Sequence, residues 1–352
     1  MPSLIQAESP FTPKVTAKIQ ANKEKASFDF RSDVVTAPIE EMMNAILEAS
    51  VNDDIYDEEG DPSVKALEAR LMELTGMEAA LWAVSGTQGN QICLRTHLTQ
   101  PPHSVLLDHR AHVHCWESGA LPVISQASAT TVRPKNGVHL TLEDVKENII
   151  ADGNIPEDQK PIAMHLDAAR VFDAVIAEGV DLKAYAACFD SMSICLAKGI
   201  GAPMGSVILG KKRFIERAKW FRKMLGGGTR QPGMMAAAAL AALEYSLPRF
   251  TSVHGLAKSA ADRLEAVGYK FALPVQTNMV LLDLKTVDIP PAAFVEYCAQ
   301  EGVAVFPMAR LVFHHQTSEA AVEKLVKALS RLMEDKRKGI PLNDGEARGG
   351  YS

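Results

Sequence analysis

The stretch Ser191-Met-Ser-Ile-Cys-Leu-Ala-Lys198-Gly-Ile-Gly-Ala-Pro-Met-Gly205 decides how the rest of the chain is read. Ser191 to Leu196 is a short apolar run of strand length, and small residues follow it at once. Lys198 therefore stands just past a strand's carboxyl end, where open α/β sheets collect ligands. A single lysine is more often a solvated surface residue. Its neighbours in the pattern argue for more.

Upstream, Pro161-Ile-Ala-Met-His-Leu166 reads as another strand and delivers Asp167 at its end. An Asp at such a junction is commonly a helix N-cap. It can equally hold a pyridine nitrogen protonated and make the ring an electron sink. Arg170, three residues on, lies within reach of the same mouth as a donor to a ring oxygen.

Further out, Ala79 to Val84 is a strand that ends at Ser85-Gly86-Thr87, with a helix starting near Gln88. That small-residue turn offers free backbone N–H groups and a helix dipole to a phosphate. The GxGxxG of a dinucleotide fold is absent after the first strand. Ser104 to Leu107 and Leu121 to Ser125 read as strands, Thr141 as the cap of a helix, and Ser206 to Leu209 as a final strand. The alternation predicts a mostly parallel central sheet with helices on both faces.

From Ala236 a long Ala-rich helix runs to about Tyr245, and after Pro248 a smaller α/β domain follows, with Asn278 to Asp283 as one of its strands. The expected division is a large domain over 28–245 and a small C-terminal domain over 246–338. The stretches 1–27 and 339–352 read as disordered tails.

Composition narrows the classes. The 352 residues are 47% apolar and 23% charged, ordinary for a globular protein. A net charge of -6 gives no basic field for nucleic acid. No run approaches the ~20 apolar residues that span a bilayer, so no membrane partner is expected. Met1 to Ser27 has no hydrophobic core for a secretory signal, which leaves the cytosol as the expected compartment. Cys93, Cys115, Cys188, Cys195 and Cys298 are odd in number and lack CxxC spacing, so neither a disulfide framework nor a metal is expected.

Several further segments carry a resemblance. They are Phe30-Arg31-Ser32-Asp33-Val-Val-Thr36, Asp53-Asp54-Ile-Tyr56, Val84 to Gln91, Ser193 to Gly205, and Leu225-Gly-Gly-Gly-Thr-Arg230-Gln231. Thr277-Asn278-Met279-Val280 and Arg310-Leu-Val-Phe313-His314 follow in the same order. From about Phe28 to Glu334 the chain resembles the low-specificity L-threonine aldolases, pyridoxal 5'-phosphate (PLP) enzymes of the aspartate-aminotransferase fold, fold type I.

The resemblance implies Lys198 as the Schiff-base lysine, Asp167 as the pyridine-nitrogen partner and Arg170 beside the ring oxygen. It implies Ser85, Gly86 and Thr87 as a phosphate cradle, and His112 as the imidazole stacked on the ring. Ser32 and Arg310 match the clamp for an amino-acid carboxylate, for which a guanidinium's bidentate geometry is suited. Arg230 resembles a residue reaching the phosphate region, with Tyr56 of a partner subunit nearby, which implies a homodimer or homotetramer. The base for the β-hydroxyl stays open between His112 and a water held by it and Glu117.

The chain also departs from the pattern. After the helix ending near Ile150 the family has a further interior strand, an acidic-Asn-Thr segment and a helix, whereas here only Ala151 to Lys160 intervenes. The Asp167 strand should then either pair with Ser104 to Leu107 or leave a gap. Ala168, Phe313 and Asp57-Glu-Glu-Gly60 also differ, and Phe313 adjoins the expected substrate pocket. The expected activity is retro-aldol cleavage of a small amino-acid substrate, L-threonine or L-allo-threonine, to glycine and an aldehyde. A PLP-dependent alanine racemase of fungal secondary metabolism and an inactive homologue are the alternatives.

Overall fold

The computed structural model describes residues 11–55, 60–149 and 163–346. Its strands are β1 (Ala79–Ala83), β2 (His103–Asp108), β3 (Ala127–Val132), β4 (His165–Asp167), β5 (Ser191–Cys195), β6 (Ser206–Gly210), β7 (Met279–Leu281) and β8 (Arg310–Val312). The central sheet has the order β1-β6-β5-β4. Every residue of β5 and β6 is buried, the polar Ser191, Ser193 and Ser206 included. β5 and β4 pair in parallel, whereas β6 runs antiparallel to both its neighbours, β1 and β5. Three strands therefore share one direction and the reversed β6 lies among them.

The register brings the carboxyl ends of β1, β5 and β4 to one edge. Ala83 and Cys195 both lie opposite Ser206, and Asp167 lies opposite Ser193. The helix Gly86–His97 crosses close over this sheet. A Cβ on Gly89 would stand 2.3 Å from Ser193 Oγ and 3.1 Å from Ser206 Oγ. Only glycine allows that approach, and the approach carries Asn90 and Gln91 inward.

Several expectations change. Leu121–Ser125 is a π-helical turn rather than a strand, and the strand is β3 just beyond it. Pro122 lacks the N–H a ladder needs, and Gln126 turns the chain in the left-handed region at φ 52°. β2 pairs with β3 alone and β4 with β5 alone, so among the described residues the sheet is interrupted between β4 and β2. Ala151 to Lys160, Pro161 and Tyr56 lie outside the described residues.

The stretch 1–27, expected to be disordered, contains the helix Pro13–Ser27. Proline opens it, and Ala and Lys, strong helix formers, fill it. In the C-terminal stretch, Leu342 packs on the smaller core and Asn343 Nδ2 donates to Glu296.

The described residues include two main hydrophobic cores. The smaller one gathers the helices Phe250–Ala266, Pro291–Gln300 and Glu319–Arg337 with β7 and β8. Phe30, expected in the large domain, belongs to this small core instead and meets Phe313 edge-to-face at 5.0 Å. Backbone bonds from Phe30 N to Ala304 O and from Val312 N to Phe30 O stitch it there. No helix among the described residues is long and apolar enough to cross a membrane.

Candidate active site

The strand ends just described place three loops side by side. After β1, Ser85 caps the helix Gly86–His97, its Oγ accepting from Gln88 N at 3.1 Å. Gly86 and Thr87 occupy the first turn, where helix N–H groups have no intrahelical acceptor and the dipole is positive. The cap uses a lone pair of Ser85 Oγ and leaves its hydroxyl hydrogen to donate, so Ser85, Gly86 and Thr87 all offer donors to an anion.

Past β4, Asp167 looks into an open recess and joins a polar network. Asn90 Nδ2 donates to Asp167 Oδ2 and to Glu117 Oε1, each at 3.0 Å. Gln91 Nε2 donates to Glu117 Oε2 at 2.6 Å. His112, half-exposed at the mouth, bonds Glu117 Oε1 through Nδ1 at 2.9 Å. A carboxylate only accepts, so Nδ1 carries the hydrogen of this bond. Although its side chain is reached by solvent, Asp167 lies in a desolvating recess that pushes its carboxyl above the ordinary value. The Asn90 bond and His112 act against that rise, and Glu117 adds to it.

The ligand atoms of His112, Glu117 and Asp167 lie within 4.8 Å of one another, a grouping that could also hold a metal ion. Glu117, however, already accepts from three side chains, which leaves it little capacity as a ligand.

Past β5, Lys198 sits half-buried in a turn closed by Gly201 N donating to Lys198 O at 2.8 Å. Lys198 follows β5 by three residues, and Asp167 ends the parallel neighbour β4 opposite Ser193, so the two stand past neighbouring strand ends. Gly199 beside Lys198 packs so closely that a Cβ would meet Phe250 at 2.9 Å. Arg170 does not stand free: its Nε and Nη2 each donate to the fully buried Asp33 at 2.7 Å. Burial alone would raise Asp33, but Arg170, aided by Lys198 and His314, holds its carboxyl below the ordinary value.

Ser32 is buried and caps the short helix Asp33–Val35, its Oγ accepting from Val34 N. Arg310 opens β8, with its Nε buried and unpartnered. Arg230 is half-exposed and pairs with Asp53 at 3.1 Å. Phe313, expected beside the substrate, is wholly buried against the small core, where it lines a small cavity with Gly199 and Asn278.

Asn90 and Asp33 went unassigned in the sequence reading. The available signal was polar residues, Asn90-Gln91, set against Ile92-Cys93-Leu94 in a helix that is buried at all five positions.

A lysine and a carboxylate past neighbouring strand ends, a helix N-terminus at the same sheet edge and a part-buried arginine whose Nε has no partner fit PLP and an amino acid together. Fold and site define a PLP-dependent lyase of fold type I. The chain belongs to the beta-eliminating lyase family, whose sequence profile matches residues 29–161 and 156–287. It is 40% identical over 343 residues to a probable low-specificity L-threonine aldolase of Schizosaccharomyces pombe, covering 89% of each chain. It is 32% identical to the alanine racemase TOXG of Cochliobolus carbonum, covering 86% of each. In structure it resembles a putative L-allo-threonine aldolase of Listeria monocytogenes, with a TM-score of 0.72 at 18% identity, covering 90% of this chain and 99% of that one.

Proposed function

We propose that this protein cleaves the Cα–Cβ bond of L-threonine, L-allo-threonine and similar β-hydroxy amino acids, releasing glycine and an aldehyde. The observation that carries the reading is the chain of contacts from Asp167 through Asn90 and Glu117 to His112, which holds an imidazole at the half-exposed edge of the site. A group there that can take up a proton suits a β-hydroxyl substrate. When bound, PLP supplies an electron-accepting ring that stabilises the charge left on Cα.

The chain's own residues do the rest. Lys198 anchors the cofactor, and Asp167 faces the ring nitrogen. Gly86, Thr87 and Arg230 hold the phosphate, with Ser85 fixing their turn. Arg170 keeps Nη1 for the ring oxygen while Asp33 fixes its plane. Arg310 and Ser32 receive the substrate carboxylate. His112 Nε2 takes the hydroxyl proton, directly or through a water.

The free state of all five cysteines supports the cytosol. Exposed Trp220 and Met224 on the helix Lys212–Met224 support a homodimer or dimer of dimers. The test is to supply L-threonine, L-allo-threonine and L-alanine in turn to the PLP-loaded protein, measuring glycine, acetaldehyde and loss of optical rotation. Equal amounts of glycine and acetaldehyde are expected; racemised alanine with intact threonine would overturn the proposal.

A further inference from the structure

We propose that Asn90 is the positioning residue that ties the site's two carboxylates together, and that the chain His97–Ser191–His165 locks its amide so that it can only donate to them. The inference rests on the reading above in which Asp167 faces the ring nitrogen.

Asn90 is 2% exposed and all its polar capacity is engaged. Its Nδ2 has two hydrogens and meets two acceptor-only groups, Asp167 Oδ2 and Glu117 Oε1, at 3.0 Å each. The amide oxygen therefore points the other way, to His165 Nε2 at 3.2 Å. That contact fixes His165 as the Nε2–H tautomer, since an oxygen cannot donate to the ring. His165 Nδ1 must then accept, and it does so from Ser191 Oγ at 2.9 Å. Ser191 Oγ, its hydrogen used, accepts from His97 Nε2 at 2.8 Å.

Every link has one permitted direction, and all of them run toward the carboxylates. Burial, with His97 adding to it, pushes the His165 imidazole down to about 3, so it stays neutral and the direction persists at ordinary pH. His97 is held below its ordinary value by burial, against the pull of Asp190, and it is clasped against Phe214 at 4.5 Å.

The consequence is a coupling that neither carboxylate could provide alone. One rigid amide sets both the carboxylate for the ring nitrogen and the carboxylate that orients His112. Each carboxyl receives one of the two Asn90 hydrogens, so the amide sets the orientation of both.

Two pairs of variants test this on the holoenzyme. Asn90→Asp keeps the shape but sets a third carboxylate against the other two, whereas Asn90→Ala only empties the space. If Asn90 merely fills space, the Asp variant is the milder one. The coupling predicts the reverse: Asn90→Asp weakens PLP retention by roughly 10- to 100-fold, the range of a lost charged hydrogen bond, and alters the visible absorbance of bound PLP. Asn90→Ala should do less. His165→Gln retains a donor for Asn90 Oδ1 and should keep the wild-type spectrum, while His165→Leu, judged folded by its circular dichroism, should not.

An Asp variant that retains PLP like wild type with an unaltered spectrum would overturn the inference, as would identical spectra for the two His165 variants. A wild-type protein that takes up no PLP would instead overturn the functional reading beneath it.

Discussion

The two ends of this site are built on opposite plans. Where the ring nitrogen would lie, Asp167, Asn90, Glu117, Gln91 and His112 already bond one another. Where the substrate carboxylate would lie, Arg310 holds a buried Nε with no partner. The first end keeps its geometry before any ligand arrives, so little reorganisation remains at the moment of reaction. The second gains its charge-assisted bonds only on docking. Orientation is thus stored in the protein, and recognition is left for the substrate to complete.

The contrast is broken most severely by Asp167→Asn. The shape survives but the charge does not, and turnover should fall by roughly 10²- to 10³-fold while PLP still binds. Steady-state kinetics beside an absorbance spectrum check this; near-normal turnover would reduce Asp167 to a helix cap. At the open end, Arg310→Ala removes bonds worth roughly 1.5–3 kcal/mol each. The apparent substrate constant should rise about 10- to 100-fold, with the PLP spectrum unaltered. An unchanged constant would put Arg310 outside the site.

Glu117→Gln keeps an acceptor for His112 but withdraws the charge, so a loss of about tenfold in kcat is expected, as for other groups that orient a working histidine. A KM effect without a kcat effect would count against that role. The smallest effect sharpens the account of how Asn90 is placed. Gly89→Ala forces a methyl onto Ser193 Oγ at 2.3 Å and should cost about 1–3 kcal/mol in denaturant unfolding. Wild-type stability would mean that the helix does not sit so close.

The sequence made Lys198, Asp167 and the Ser85–Thr87 turn legible because each stands where a short apolar run stops, and chain order alone signals such a junction. Asn90 was not legible in the same way: its partners are 27, 75 and 77 residues distant, and an amide has no preferred neighbour until the fold chooses one. The reversal of β6 was hidden for a related reason, since an apolar run states that a strand is buried but not which way it runs. Leu121–Ser125 misled because its apolar residues suit a strand while Pro122 does not.

The seat of Phe30 bears on how the chain is made. Its ring packs on Phe313 and its backbone bonds reach Ala304 and Val312, so this contact closes a loop of most of the polypeptide. During synthesis, which proceeds from the amino terminus, Phe30 emerges early and waits for nearly three hundred residues to follow. The small core is therefore completed last, after the central sheet has had time to form.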